Sequence, residues 1–280
     1  MIRVAQLFRS EIVRVERCDH PLDVPHVDPP EEQSTTYSIN FIESGRFSVA
    51  SRGRSWTLGA RDLFITAPGM VYRCAHDGRP DDVCLCVCFE GNAHDAGMNM
   101  APLRDHTPVA SMTNRRAYLR ARLARRMAEN DAVAVDLIAG ELLEAIYRPS
   151  NGAAPHRLFG AAQLSWYTRR IDMVREQLDA DYASAHSLTA LARSAGMSPF
   201  HFARVFRDLV GVPPHRYLLS CRLRAAADRL RGGDSVTGAC FETGFNSLGH
   251  FIEMFRRAYG VSPSRFARNR KRAHLRSADA

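Results

Sequence analysis

The sequence predicts an α+β protein in which a β-rich N-terminal half precedes an all-helical C-terminal half. Three observations support this fold class: short alternating apolar runs between residues 35 and 90, a change to helical periodicity from Thr113, and a repeated segment in the last third of the chain. The chain has 280 residues, a length that suits about two domains. Its 45% apolar content is enough to form a buried core.

Five short runs indicate the strands of a sandwich or small barrel: TYSINFI, GRFSVAS, SWTL, DLFITA and VCLCVCF. The next two runs, NRRAYLRARLARRMAEN and VAVDLIAGELLEAIYR, have the period of amphipathic helices that join near Asn130–Asp131. The segment PSNGAAPH, residues 149–156, has the composition of a linker. The predicted domains are therefore residues 1–112, 113–150 and 151–280.

The positive charge is concentrated in the C-terminal part of the chain. Residues 1–160 contain 19 Arg and Lys against 20 Asp and Glu, a net charge of −1, whereas residues 161–280 contain 19 against 10, a net charge of +9. A segment this basic predicts a polyanionic partner such as DNA or RNA, although a solvated basic face would give the same count. The only lysine is Lys271, and arginine suits bidentate contacts to phosphate and guanine.

A repeated unit lies in this basic segment. FARVFRDLVGVPPHRY, residues 202–217, aligns without gaps with FIEMFRRAYGVSPSRF, residues 251–266, and seven positions are identical. Between the copies, residues 215–232 have the pattern of one helix, about 25 Å long at 1.5 Å per residue. A connector of this kind could keep two recognition helices about 34 Å apart, which is one turn of DNA.

Each copy follows the pattern of a helix-turn-helix motif. Gly196 and Gly244 are predicted to make the turns, because glycine adopts the left-handed conformation without penalty. Ser198 and Ser247 are predicted to cap the second helices. A helical bundle that happens to repeat would show similar spacing, but the repeat, the charge and the turn residues together favour DNA binding.

These segments resemble the AraC/XylS family of bacterial transcription regulators. The resemblance covers residues 186–268 and rests on SLTALARSAGMSPFHFARVFRDLVGVPPHRYLLSCRLRAAADRL and SVTGACFETGFNSLGHFIEMFRRAYGVSPSRFAR. ESGRFSVASRGRSWTLGARDLFITAPG, residues 43–69, is more weakly similar to the cupin-like sensor domain of the family. The helices at 113–148 resemble its linker or dimerisation helices.

The resemblance implies an N-terminal cupin-like β-barrel domain with linker helices, then an all-α domain with two helix-turn-helix motifs joined by a long helix. It also implies a homodimer that binds promoter DNA and RNA polymerase, activates transcription and responds to a small-molecule effector. The N-terminal segment has charges throughout and the chain has no apolar run of about 20 residues, so we expect a cytoplasmic protein.

The candidate DNA contacts lie on the second helix of each motif and around its cap. They are Ser198, Phe200, His201, Ala203, Arg204, Arg207, Asn246, Ser247, Leu248, Gly249, His250, Glu253, Arg256 and Arg257. The resemblance places Arg204 at the position where the family most often reads a base. Phe202, Val205 and Phe206 are expected in the core.

The second copy departs from the family pattern, because Glu253 stands where an arginine is common. A carboxylate can accept a hydrogen bond from cytosine N4, but phosphates repel it. We interpret the second helix as one that positions the protein, with Arg256, Arg257 and the tail at residues 265–276 contacting phosphates.

Cys84, Cys86 and Cys88 alternate in VCLCVCFE and would share one face of a strand. Buried free cysteine packs as a small apolar residue, and this is our interpretation. The alternative is a thiol-responsive or soft-metal site. Same-face residues lie about 6.6 Å apart, so a metal would need a further ligand such as Cys74 or His76. The odd count of seven cysteines favours free thiols.

Four residues are candidates for the lining of an effector pocket in the β domain: Phe47, Trp56, Tyr72 and Arg73. Phe47 and Trp56 could equally be core residues. Three rival hypotheses remain: a constitutive regulator whose β domain only dimerises, a thiol- or metal-responsive regulator, and a cupin enzyme with a DNA-binding appendage.

The sequence argues against an enzyme. The segment APGMVYRCAH, interpreted as a loop, has no H-x-H metal motif, and the chain has no Walker loop, G-x-S-x-G elbow or H-E-x-x-H motif. His26, His94 and His106 are expected to be solvated in polar loops. No catalytic residue, metal site or cofactor is expected.

Overall fold

The computed structural model describes residues 3–20, 30–76, 82–95, 97–98, 100, 107–147 and 157–268. The chain divides into two compact units, Met1–Gly160 and Ala161–Ala280. The predicted linker at 149–156, His26, His106 and the tail beyond residue 268 lie outside the described residues.

The first unit contains ten described strands, all paired antiparallel. They are β1 Arg3–Arg9, β2 Val13–His20, β3 Glu32–Gln33, β4 Tyr37–Ser44, β5 Arg46–Ser51, β6 Arg54–Gly59, β7 Asp62–Thr66, β8 Val71–His76, β9 Asp82–Phe89 and β10 Val109–Ser111. They form a six-stranded sheet, β1-β2-β9-β4-β7-β10, and a four-stranded sheet, β3-β8-β5-β6. Within the described ranges, the ladders do not close the two sheets into one barrel.

One apolar cluster joins side chains from both sheets. Ile42 and Phe64 extend into it from the six-stranded sheet, and Phe47, Val49 and Leu58 from the four-stranded sheet. Burial of this apolar surface stabilises the two-sheet arrangement.

The five predicted strands are present as β4, β5, β6, β7 and β9. The interpretation of APGMVYRCAH as a loop was wrong from Val71 onwards, because this segment forms β8. Its polar residues have partners that the sequence does not reveal. Arg73 binds Glu31 (3.2 Å), and His76 binds the buried Asp82 (2.6 Å).

Three helices of the first unit are described: α1 Asn92–Asp95, α2 Asn114–Ala128 and α3 Ala132–Tyr147. The last two confirm the predicted helical pair. Thr113 caps α2 by accepting a hydrogen bond from the Arg116 amide (3.2 Å). Ser10 binds Asp136 of α3 (2.6 Å), so the β1–β2 turn is bonded to the helical pair.

The second unit is helical. Its helices are α4 Ala161–Ala180, α5 Leu188–Ser194, α6 Pro199–Val210, α7 Pro214–Gly232, α8 Val236–Phe241 and α9 Leu248–Tyr259. The predicted long helix is therefore confirmed as α7, and Gly233 ends it in the left-handed conformation (φ +103°). In the described part of the chain, no helix is both long and apolar enough to cross a membrane.

Candidate nucleic-acid interface

The first helix-turn-helix motif consists of α5, a turn and α6. Ser187 caps α5, and Gly196 makes the turn with φ +65°. Ser198 caps α6 by accepting a hydrogen bond from the His201 amide (3.4 Å), and Pro199 occupies the first helical position. The turn and cap predicted from the sequence are confirmed.

The second motif consists of α8, a turn and α9. Ser235 caps α8 and Ser247 caps α9. Gly244 has φ +84°, and a Cβ at this position would lie 2.3 Å from the carbonyl oxygen of Ala183. The chain therefore requires glycine here twice, for its backbone conformation and for the close approach of a neighbouring backbone.

Each motif packs one face of its second helix into the core. Phe202, Val205 and Phe206 of α6 are buried, as the sequence predicts. Phe251 and Phe255 of α9 are buried in a cluster with residues of α7 and α8. The opposite faces of α6 and α9 are consequently free to meet a ligand.

The candidate DNA contacts lie largely on these outward faces. Eleven are exposed: Ser198, Phe200, Arg204, Arg207, Asn246, Ser247, Gly249, His250, Glu253, Arg256 and Arg257. Three are half-buried: His201, Ala203 and Leu248. Phe200, at the start of α6, is 82% exposed, which is unusual for so large an apolar side chain.

Arg204 is the last of a row of hydrogen-bonded side chains that begins on another helix. Its Nη2 lies 3.2 Å from Nδ1 of His201, and Nε2 of His201 lies 2.9 Å from the hydroxyl of Tyr167 on α4. Gln163, one turn earlier on α4, donates to the same hydroxyl (3.2 Å). Tyr167 was not among the predicted site residues, because it lies outside the repeated motif and 34 residues from His201.

The aligned position on α9 has the opposite charge and a different partner. Glu253 forms an ion pair with Arg257 one turn later (2.5 Å). This pair offsets the carboxylate's charge on the face that a phosphate backbone would approach.

A polar network fixes α4 to α7. The Tyr217 hydroxyl donates to Asp179 (2.8 Å) and accepts from Nε of Arg175 (3.2 Å). Burial raises the pKa of Tyr217 to about 12, so the hydroxyl keeps its proton at neutral pH. Arg222 of α7 donates to the carbonyls of Tyr182 (2.8 Å) and Ser184 (2.9 Å), which fastens the loop before α5.

The three β9 cysteines face the apolar cluster between the sheets. Burial raises the pKa of Cys84 to about 12 and that of Cys88 to about 11, so both remain thiols at neutral pH. Cys86 donates a hydrogen bond to the half-buried Cys18 (Sγ–Sγ 3.5 Å). This bond and burial raise the pKa of Cys86, and the same bond lowers the pKa of Cys18.

The structure shows no metal-binding arrangement around the cysteines in the ranges it describes, since no three His, Cys, Asp or Glu side chains are grouped to hold an ion. His76, considered above as a further ligand, is bonded to Asp82. Asp82 also accepts from the Arg46 amide (2.7 Å), so this pair is part of the β-strand packing.

The four candidate effector residues do not line a single cavity. Tyr72 and Arg73 line an open groove of about 420 Å³ beside Glu31, Arg52 and Met70. Phe47 is buried, and Trp56 is half-buried against the cluster between the sheets. Phe47 and Trp56 therefore have the surroundings of core residues.

A known family model matches this chain within the second unit. Residues 191–269 match the model of a helix-turn-helix domain. The chain is 39% identical over 83 residues to the HTH-type transcriptional regulator Rv1931c of Mycobacterium tuberculosis, a match that covers 29% of this chain and 32% of that protein. It is 34% identical over 102 residues to the transcriptional activator RhaS of Escherichia fergusonii, covering 36% of this chain and 37% of that protein.

A solved structure of a regulator with an AraC-type DNA-binding domain, from Chromobacterium violaceum, is 22% identical and covers 38% of this chain and 96% of its own, with a TM-score of 0.36. The matches to the two curated relatives span about a third of their lengths. Residues 191–269 are thus similar to the helix-turn-helix DNA-binding domains of transcription regulators, among them RhaS and a regulator of AraC type.

Proposed function

We propose that the chain is a sequence-specific regulator in which α6 reads bases and α9 mainly positions the protein on the phosphate backbone. The observation that supports this division is the charge at one repeat position. An exposed arginine, Arg204, stands on α6 where α9 has Glu253, which is already paired with Arg257.

The chemistry of α6 suits direct readout in a major groove. The guanidinium of Arg204 can donate two hydrogen bonds to guanine O6 and N7, worth about 1–3 kcal/mol of discrimination between bases. Phe200 presents an exposed ring at the same end of the helix, and such a ring can contact a thymine methyl group.

The chemistry of α9 suits contacts that fix register without reading sequence. Arg256 is exposed beside the Glu253–Arg257 pair and can bind a phosphate oxygen. The helix α7 has 19 residues and therefore extends about 28 Å, which supports a rigid connection between the two motifs.

The experiment that tests this division is a binding titration of full-length protein on its preferred duplex and on point variants of that duplex. Arg204→Ala should relax the preference at one or two base pairs. Arg256→Ala should weaken binding to all sequences and lower the slope of log affinity against log salt by about one.

A matched control is Arg54→Ala, which removes the same charge from an exposed position on β6 of the first unit. It should change neither quantity. The assignment of the helices is reversed if Arg256→Ala alters base preference while Arg204→Ala does not.

We also propose that the first unit responds to a small molecule and that the chain activates transcription with RNA polymerase. The groove beside Tyr72 and Arg73 supports the first point, and the name of RhaS as an activator supports the second. Calorimetry with candidate ligands tests the effector. A saturable signal that Tyr72→Ala removes is expected, and no saturable signal would favour a constitutive regulator.

Dimerisation through the helical pair of the first unit is a further part of this proposal. Val133 and Leu137 lie one turn apart on α3 and are 72% and 66% exposed, which supports a contact surface there. Sedimentation of Leu137→Glu should show a lower dimer fraction than wild type, and an unchanged fraction would contradict it.

A further inference from the structure

We propose that His201 and Tyr167 are positioning residues for base reading: Tyr167 orients the imidazole of His201, which orients the guanidinium of Arg204 before DNA arrives. This inference rests on the proposed role of α6, and it assigns specificity to a helix outside the two motifs.

The donors and acceptors that each side chain possesses determine the direction of the hydrogen bonds between Arg204, His201 and Tyr167. Arginine has donors only, so the contact between Arg204 Nη2 and His201 Nδ1 (3.2 Å) requires Nδ1 to accept. The proton of a neutral imidazole is then on Nε2, which donates to the Tyr167 hydroxyl oxygen (2.9 Å). The proposal therefore requires His201 to be the neutral tautomer with its proton on Nε2.

Tyr167, at the other end of this row of hydrogen bonds, is held more firmly than Arg204. Tyr167 is 5% exposed, and its ring contacts those of His201 (centroids 5.6 Å apart) and Trp166 (5.3 Å). The helix that bears it, α4, is bonded to α7 through Arg175, Asp179 and Tyr217 as described above. A fixed anchor of this kind limits the orientations of the exposed Arg204.

Limiting those orientations has a predictable effect on recognition. A long exposed side chain loses rotamer freedom when it binds a base, and an arginine held near its bound geometry loses less. A positioned guanidinium also penalises a wrong base more strongly, because it adapts less readily to another acceptor pattern. Discrimination between bases should thus depend on Tyr167, although this residue belongs to α4 and not to either motif.

The second motif has a different arrangement at the equivalent place. His250, which aligns with His201, lies with its ring 6.2 Å from that of Phe245. The side chain three residues later is Glu253, paired with Arg257. The hydrogen bonds from Tyr167 through His201 to Arg204 are therefore a feature of the first motif. This agrees with base reading by α6.

The test uses Tyr167→Phe in the full-length protein, a change that removes one hydroxyl and keeps the ring. Discrimination at the base pair read by Arg204 should fall about threefold to tenfold, the effect of one hydrogen bond. Affinity for random-sequence duplex should not change. In the Arg204→Ala background, Tyr167→Phe should have no further effect on discrimination.

Tyr259→Phe is the matched control. Tyr259 is part of α9 in the second motif, and the substitution removes a hydroxyl that donates to the Leu223 carbonyl of α7 (3.3 Å). It should leave discrimination unchanged. Equal losses in both variants would show a general effect of stability and would overturn the inference.

Nitrogen-15 shifts of the His201 imidazole, assigned with His201→Ala, supply a readout that a purely structural role would not move. The Nε2–H tautomer is expected, and the Nδ1–H tautomer would overturn the inference. If wild type discriminates, Arg204→Ala does not and Tyr167→Phe matches wild type, the inference fails while the proposed function stands. If wild type shows no base preference, both fail.

Discussion

Gly196 and Gly244 occupy the same place in the two motifs, yet their surroundings differ. Both have positive φ, which a residue with a Cβ rarely adopts. A Cβ at Gly196 would have its nearest neighbour at 3.6 Å, the flexible Arg170 side chain, whereas at Gly244 it would meet the Ala183 backbone at 2.3 Å. The turn of the second motif is therefore packed directly on the loop before α5.

Alanine at these two positions should have unequal costs. Gly196→Ala should lower the free energy of unfolding of the second unit by about 1–2 kcal/mol, the cost of the left-handed conformation alone. Gly244→Ala should lower it by more, because the Ala183 backbone must also move. Urea unfolding followed by circular dichroism of the helices measures both, and equal losses would contradict the close packing of Gly244.

Cysteine reactivity is the second test at the residue scale. At pH 7.5, alkylation should modify Cys18 before Cys84 and Cys88, because the pKa of Cys18 is lowered and burial raises the other two to about 12 and about 11. Mass spectrometry of a time course gives the order. Rapid modification of Cys84 or Cys88 in the folded protein would favour the thiol-responsive hypothesis over packing.

At the scale of elements, the helical pair α2–α3 is joined by a buried arginine. Arg116 donates from Nε and Nη2 to the carbonyl of Ala145 (3.2 and 3.1 Å) near the end of α3, and from Nη1 to Ser111 of β10. It thus satisfies carbonyls that a helix end leaves without partners. One side chain links two helices and a strand.

Arg116→Met should lower the free energy of unfolding of the first unit by about 1.5–3 kcal/mol, because it removes charged hydrogen bonds from buried carbonyls. Arg120→Met is the control, since Arg120 forms a partly exposed ion pair with Glu43 (2.8 Å) and such pairs contribute about 0–1 kcal/mol. Thermal unfolding compares the two. Similar losses would contradict the capping role of Arg116.

The elements differ in how far the sequence predicts them, and the reason is physical. Strands such as β7 alternate or run apolar because they face the core, and α6 has glycine, serine and proline at its ends, so periodicity and caps identify them. The edge strand β1 is exposed along most of its length, and β8 satisfies polar residues through Glu31 and Asp82, so neither shows an apolar pattern. The contact between Tyr167 and His201 depends on how α4 packs, which local pattern does not encode.

At the scale of the whole molecule, charge and chemistry divide between the two units. The first unit contains the two sheets and nearly balanced charge, and the second contains both motifs and the excess of arginine. Long-range attraction to DNA therefore belongs to the second unit. This division motivates regulation in which the first unit senses and the second binds.

The most direct test of the central claim is selection of binding sites from random DNA by the full-length protein, followed by footprinting. We expect one conserved box, read by α6, next to a protected segment of variable sequence that α9 contacts through phosphates. Two equally conserved boxes about one turn, ~34 Å, apart would contradict the positioning role of α9. Failure to enrich any site would contradict base reading by Arg204.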